Sequence, residues 1–147
     1  MCLSFFSLFG CQITGYWFLR DETGNLIIPK ESYKLYKQLS SCKHIEGKFL
    51  EINRNREKNE TEKNDLLVFH KNKQLKLYGS DKVGNPIFNN YVQGMYCVDG
   101  NKILIEFFYP THGGSKTYTS IIHGGVINKN EIILKRFNDL ITLRKME

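Results

Sequence analysis

From residue 13 onward the chain alternates polar and apolar side chains with a period of two, interrupted at short intervals by Asp, Asn and Gly. A strand turns successive side chains to opposite faces, so this pattern specifies half-buried strands and leaves little room for helix. Gln74-Leu75-Lys76-Leu77 alternates cleanly, and Lys102 to Phe107 sends Ile103, Ile105 and Phe107 to one side. Lys48 to Ile52 puts Leu50 and Ile52 on a common face, and Ile141 and Leu143 alternate with Thr142 and Arg144. Lys71-Asn72-Lys73, Asp99-Gly100-Asn101 and Asn128-Lys129-Asn130 fall between these runs and suit tight turns that need a positive φ. The pattern predicts eight to ten strands, at about 13–20, 26–29, 47–53, 65–71, 74–79, 91–98, 102–109, 117–127, 131–136 and 139–145. Short connections make neighbours antiparallel. A meander this long must dispose of its edge strands, by closing into a barrel or by folding into a sandwich.

One segment breaks the period. Glu31 to Leu39 has Leu35 and Leu39 four apart beside Tyr36, and it follows Pro29, so a short helix or turn is expected near residues 30–40. Arg54 to Asp65 carries four basic and four acidic residues and no apolar one, and reads as a solvated, neutral hairpin loop. At 147 residues, with 41% hydrophobic, 24% charged and 3 Pro, the chain is sized for one domain and is neither disordered, collagen-like nor a multi-span membrane protein.

Residues that carry chemistry are scattered. His112-Gly-Gly and His123-Gly-Gly recur eleven residues apart, but neither has a carboxylate or Cys at a short ligand spacing, and Cys42-Lys43-His44 supplies only two donors, so no metal is expected. Ser115, Ser120 and Cys42 lack a nucleophile motif, and Gly113-Gly114 lacks the continuation of a phosphate loop. Glu51, Glu106 and Glu131 alternate with strand apolars and are expected to face solvent. No cofactor and no enzymatic reaction are assigned. The net charge of +6 is spread along the chain, much of it beside acids, which does not make a nucleic-acid surface. It suits a protein near anionic lipid heads or polyanionic envelope sugars.

The start of the chain is different in kind. Cys2 to Gly10 is an apolar run of nine, too short to span a bilayer and long enough for the core of a signal peptide. Read by itself, the run also suits a Phe-rich first strand or buried arm. Leu8-Phe9-Gly10-Cys11 resembles the lipobox of bacterial lipoproteins. That resemblance implies a signal segment over residues 1–10, lipid attachment at the Cys11 thiol, and a mature domain over 11–147. It also implies a place in the cell envelope, with membrane lipid as a partner. Gln12, rather than Asp, favours the outer membrane on the same resemblance. With Cys2 removed and Cys11 acylated, Cys42 and Cys97 remain, either as a disulfide or as two separate buried thiols.

Gly15-Tyr16-Trp17 on the first strand is similar to the opening signature of lipocalins and the wider calycin group, and Gly94 to Ile103 is similar to a hairpin of bacterial lipocalin-like lipoproteins. Gly125-Val126-Ile127 and Glu131 to Leu134 continue the meander in that style. The resemblance implies an all-β, up-and-down barrel in which Trp17 plugs the closed end and Arg144, or else Arg136, packs over it. The mouth of such a barrel would hold a small apolar or amphipathic ligand, with Phe49, Phe69, Tyr78, Tyr96, Phe107 and Tyr118 as candidate liners. The alternative expectation is an inhibitor, immunity or scaffold lipoprotein of the envelope, acting on a protein partner through loops 54–65 and 110–116.

Overall fold

The computed structural model describes residues 16–111 and 117–147. Cys11, Gly15, the segment 1–10, His112, the Gly113-Gly114 pair and Ser115 lie outside the described residues. Three two-residue strands come first: β1 (Tyr16–Trp17), β2 (Leu19–Arg20) and β3 (Leu26–Ile27). Two 3-10 helices follow, Lys30–Ser32 and Lys34–Ser41, where the sequence predicts its short helix. Eight longer strands then run in order: β4 (Gly47–Arg54), β5 (Asn64–Phe69), β6 (Gln74–Ser80), β7 (Val92–Asp99), β8 (Lys102–Pro110), β9 (Thr117–Asn128), β10 (Glu131–Arg136) and β11 (Asp139–Lys145). Each pairs antiparallel with the next, and β11 returns to β4, so the meander closes into an eight-stranded up-and-down barrel.

The tight turns decide which end is closed. The 70–73, 100–101 and 129–130 turns lie at one end, with positive φ at Lys73, Gly100 and Lys129. Ile45 crosses that end. The Tyr96 hydroxyl accepts the Ile45 N–H at 3.0 Å and lies 2.6 Å from the carbonyls of both Ile45 and His70. The loops 55–63 and 81–91 lie at the other end, the mouth, together with Thr111 and the 137–138 turn.

The inward positions of the closed half are filled. Phe49, Phe69, Tyr96, Val98, Ile103, Ile132 and Leu143 pack into one buried cluster, with Phe49–Phe69 and Phe69–Tyr96 edge to face at 5.3 and 5.0 Å. Gly94 faces this core across from Phe107, whose ring atom Cε1 would lie 2.6 Å from any Cβ there, so the ring takes the space a side chain would need.

Residues 16–41 form a second layer on the outer face of β7, β8 and β9. Ile28, Tyr33, Met95, Phe108 and Tyr118 are buried between layer and barrel, with Tyr16, Phe18, Leu26 and Leu39 packed around them. Glu106, fully buried, aims its carboxylate at the start of the second 3-10 helix and accepts the N–H groups of Lys34 and Leu35, both at 2.8 Å. These are amides that a helix start leaves without partners. Cys42 and Cys97 are joined as a disulfide, with their Cα atoms 5.0 Å apart, and tie the end of this layer to β7 beside Leu35.

Three expectations are corrected. Trp17 is 70% exposed and plugs nothing, because β1 pairs edge to edge with the start of β9 at the mouth end, Trp17 opposite Thr117. Arg144 sits at the far end of the barrel. It alternates with inward Leu143, faces out, and pairs with Glu131 at 2.7 Å. Arg136 points inward at the mouth and pairs with Asp65 at 2.6 Å. Ile45 and Tyr96 close the end that the resemblance gave to Trp17 and Arg144. Glu51 and Glu106 are buried at 2% and 0%, not solvent-facing, while Glu131 is only partly exposed. Leu50 and Ile52 do share a face, as the alternation predicts, but it is the outer one, so Phe49 and Glu51 are the residues that point in.

Candidate functional site

Toward the mouth the inward positions of the same strands change from apolar to ionic. A register shift between β11 and β4 sets this up. Thr142 lies opposite Asn53 and Leu143 opposite Glu51, leaving Ile52 as the extra, outward residue of a bulge. Glu51 and Arg54, three apart, therefore both face inward. Arg54 reaches Glu51 at 2.9 Å, Asp139 at 2.7 Å and Asp65 at 3.5 Å, and Lys58 reaches Glu51 at 3.0 Å. Arg56 extends the network at the surface, to Asp139 at 2.9 Å and Glu62 at 2.8 Å. The loop expected to be wholly solvated is thus anchored inside the barrel at both of its ends, Arg54 and Asp65.

The electrostatics follow from these partners. Burial pushes the Glu51 carboxyl up, but hydrogen bonds from Arg54, the Asp65 N–H and Lys58 outweigh it and hold it below the ordinary range. Asp65 goes the other way, raised by burial that Arg136 only partly offsets. His123, on β9, points inward beside Tyr109, its Nε2 2.8 Å from the Tyr109 hydroxyl. Burial, with Arg136 adding to it, depresses His123 to about 4, so it is neutral near pH 7. Burial raises Tyr109.

A cleft opens beside this network. The β6–β7 ladder ends at Leu77 opposite Val92, although β6 runs on to Ser80 and β8 to Pro110. Because β7 begins only at Val92, a gap of about 500 Å³ opens in the wall at the mouth. Its sides are aromatic, with Tyr78, Phe88, Tyr91, Phe108, Tyr109 and Tyr118, and its charged groups are Arg20, Lys63, Arg136 and Asp65. Lys63 Nζ lies 5.1 Å from the Phe88 ring centre and Lys76 Nζ 4.6 Å from that of Tyr91. Arg20 hydrogen-bonds the Tyr118 hydroxyl and, at 2.6 Å, the Gly24 carbonyl.

Of the six candidate liners, Tyr78 and Tyr118 reach the cleft, and they do so from the outer face of the sheet. Phe49, Phe69, Tyr96 and Phe107 face the barrel interior, where each is buried to within 3% of complete and packs as core. Arg20, Lys63, Phe88, Tyr91 and Tyr109 are cleft residues that the sequence reading does not single out, and Arg136, expected only as a barrel-closing residue, lines the cleft instead. A signal for part of this set was present. Asp21-Glu22-Thr23-Gly24-Asn25 and Asp81-Lys82-Val83-Gly84-Asn85 share the spacing Asp-x-x-Gly-Asn, and they fold alike. In each the Asp Oδ1 accepts the N–H of the residue two ahead and that of the Asn, and the Gly has positive φ, +89° and +94°. The first loop sets Arg20 and Leu26, the second leads into Phe88 and Tyr91, and Asn25 Oδ1 accepts the Tyr91 N–H at 2.8 Å, joining the two sides of the cleft.

Among the described residues no group of three or more His, Cys, Asp or Glu is placed to hold a metal ion. Among the same residues no helix is long and apolar enough to cross a membrane. Comparison with protein-family models, with curated proteins and with solved structures finds no match for the chain.

Proposed function

We propose that the chain is a lipid-anchored binding protein of the bacterial cell envelope, and that it takes a small amphipathic molecule with an anionic group into the mouth cleft. The observation that carries this reading is the cleft itself. At about 500 Å³ it falls within the range of small-molecule sites, roughly 300–1,000 Å³, and it combines aromatic walls with a few convergent charges. Three cations and one carboxylate line it, which favours a negative group on the ligand. The apolar interior of the closed half is solid core, so the ligand site is the cleft and not the centre of the barrel.

Native mass spectrometry of the chain, purified gently from its own host, tests the reading. A small mass released on denaturation identifies the ligand class, and a clean apo mass counts against a carrier. Phe88, 58% exposed, contributes little to the core, so Phe88→Ala is expected to leave stability unchanged and weaken the identified ligand about tenfold, near 1.4 kcal/mol. The anchor is tested separately: Cys11→Ser is expected to leave the membrane fraction.

A further inference from the structure

The lone tryptophan stands on the outside of the molecule. Trp17 and Leu19 are 70% and 77% exposed, and Ile27, the cross-strand partner of Leu19, is 52% exposed. Phe18, between them, points the other way, onto Phe108 and Tyr118, and Arg20 beyond them bonds to Tyr118. The alternation of one short ribbon therefore gives it an inner face that packs on the barrel and an outer face that is an apolar patch of Trp, Leu and Ile. Large exposed apolar side chains gathered on one face mark a contact surface, and Trp is the residue that sits at a bilayer boundary, with its ring in the apolar region and its N–H toward the heads.

We propose that Trp17, Leu19 and Ile27 dock into the surface of the bilayer, so that the cleft behind them opens onto lipid. This rests on the lipid-anchor reading of Cys11. Cys11 lies five steps along the chain from Tyr16, a span of at most about 18 Å. Tyr16 pairs with Tyr118 at the mouth end, whereas the far end of β9, at Asn128, lies ten residues beyond, roughly 33 Å along the strand. A chain tethered at Cys11 can bring the mouth flank to the membrane and not the closed end.

Charge does not set this orientation. The closed-end segments 43–48, 71–73, 99–102, 129–131 and 144–147 hold eight Lys or Arg against four acids, so a net +4 of the chain's +6 lies on the end directed away from the bilayer. Docking is therefore driven by apolar area and not by attraction to anionic lipid. The inner side of the same ribbon supplies Arg20, Leu26 and, just beyond β3, Ile28 to the cleft. The ligand class narrows accordingly, to an anionic amphiphile that partitions into membranes and passes to the cleft without crossing bulk water.

Trp17 is the chain's single tryptophan and so reports its own surroundings. The native chain is reconstituted in vesicles of phosphatidylethanolamine and phosphatidylglycerol, some carrying brominated acyl chains. The expected result is a blue-shifted emission, quenched by the brominated lipid, shielded from iodide, and unchanged by high salt. Leu19→Ser with Ile27→Ser, both at exposed positions, is expected to weaken vesicle partition of the Cys11→Ser chain about tenfold without changing its unfolding midpoint. The proposal is overturned if the native chain stays with the vesicles while Trp17 remains open to iodide and unaffected by brominated lipid; the anchor would stand and the docking would fall. It is also overturned if the blue shift follows protein concentration rather than lipid, since that is self-association. Failure of the anchor reads differently: the Cys11→Ser chain then partitions like the native one, whatever Trp17 reports.

Discussion

At the closed end the inward positions of β4, β5 and β7 hold Phe49, Phe69 and Tyr96, packed ring against ring; nearer the mouth the inward positions of β4, β5 and β10 hold Glu51, Asp65 and Arg136. The strands are continuous and the alternation is the same. Strand period fixes which side chains face in, but the residue types decide whether the interior is a core or a site. An ionic interior pays desolvation that its pairs only partly recover, so it is weak evidence for stability and contributes mainly by fixing geometry. The closed half should therefore dominate the folding energy, and the mouth half should dominate its dependence on conditions.

The sharpest way to break that contrast is at its apolar end. Phe69→Ala removes the ring that touches both Phe49 and Tyr96 in a filled interior, and is expected to cost about 3–5 kcal/mol, read as a lower urea midpoint. At the mouth, Glu51→Gln leaves Arg54 and Lys58 facing a neutral amide and is expected to cost about 2–3 kcal/mol at pH 7. The two differ in kind as well as size. The Glu51 carboxyl is depressed in the folded state, so its contribution is present above the ordinary carboxylate range and is lost as pH falls through the folded value. Below that, wild type and Glu51→Gln should converge, whereas the Phe69→Ala deficit should persist.

The third effect, the His123 titration, is confined to acid conditions and leaves stability at pH 7 untouched. Its folded pKa, about 4, lies below the ordinary value of 6.5, so the unfolded chain binds the proton first. Stability should decline as pH falls from 6.5 toward 4, and His123→Gln should remove that slope from a pH series of urea midpoints. A slope that survives the substitution would assign the dependence to the carboxylates.

How much of this could be read in advance divides along the same line. The barrel strands were legible to within a few residues, because alternation and turn residues are local properties, and Gly100 and Lys129 stand in the turns where they were expected. The mouth was not legible, because its key step is a register shift between β4 and β11, set by the pairing of strands far apart in sequence. Without that bulge Glu51 and Arg54 would lie on opposite faces. Glu106 was assigned to solvent for a related reason: its outward face is correct, but residues 34 and 35 return to cover it. Tyr118 was placed inside a barrel that it braces from outside. The two Asp-x-x-Gly-Asn loops, by contrast, are local, and their shared spacing in the sequence matches their shared hydrogen bonds.

The disulfide also sets how the molecule carries load. Under the Cys11 anchor proposed above, every tug on the tether would enter at Tyr16, and the layer from 16 to 41 would be unzipped from β9 and β8 a few contacts at a time. Cys42–Cys97 stops the tear. Beyond it the force passes into β7, which is bonded on both sides within a closed wall, and a closed barrel offers no free edge from which to peel. The bond thus separates a compliant leader that can give and recover from a rigid body that must fail all at once.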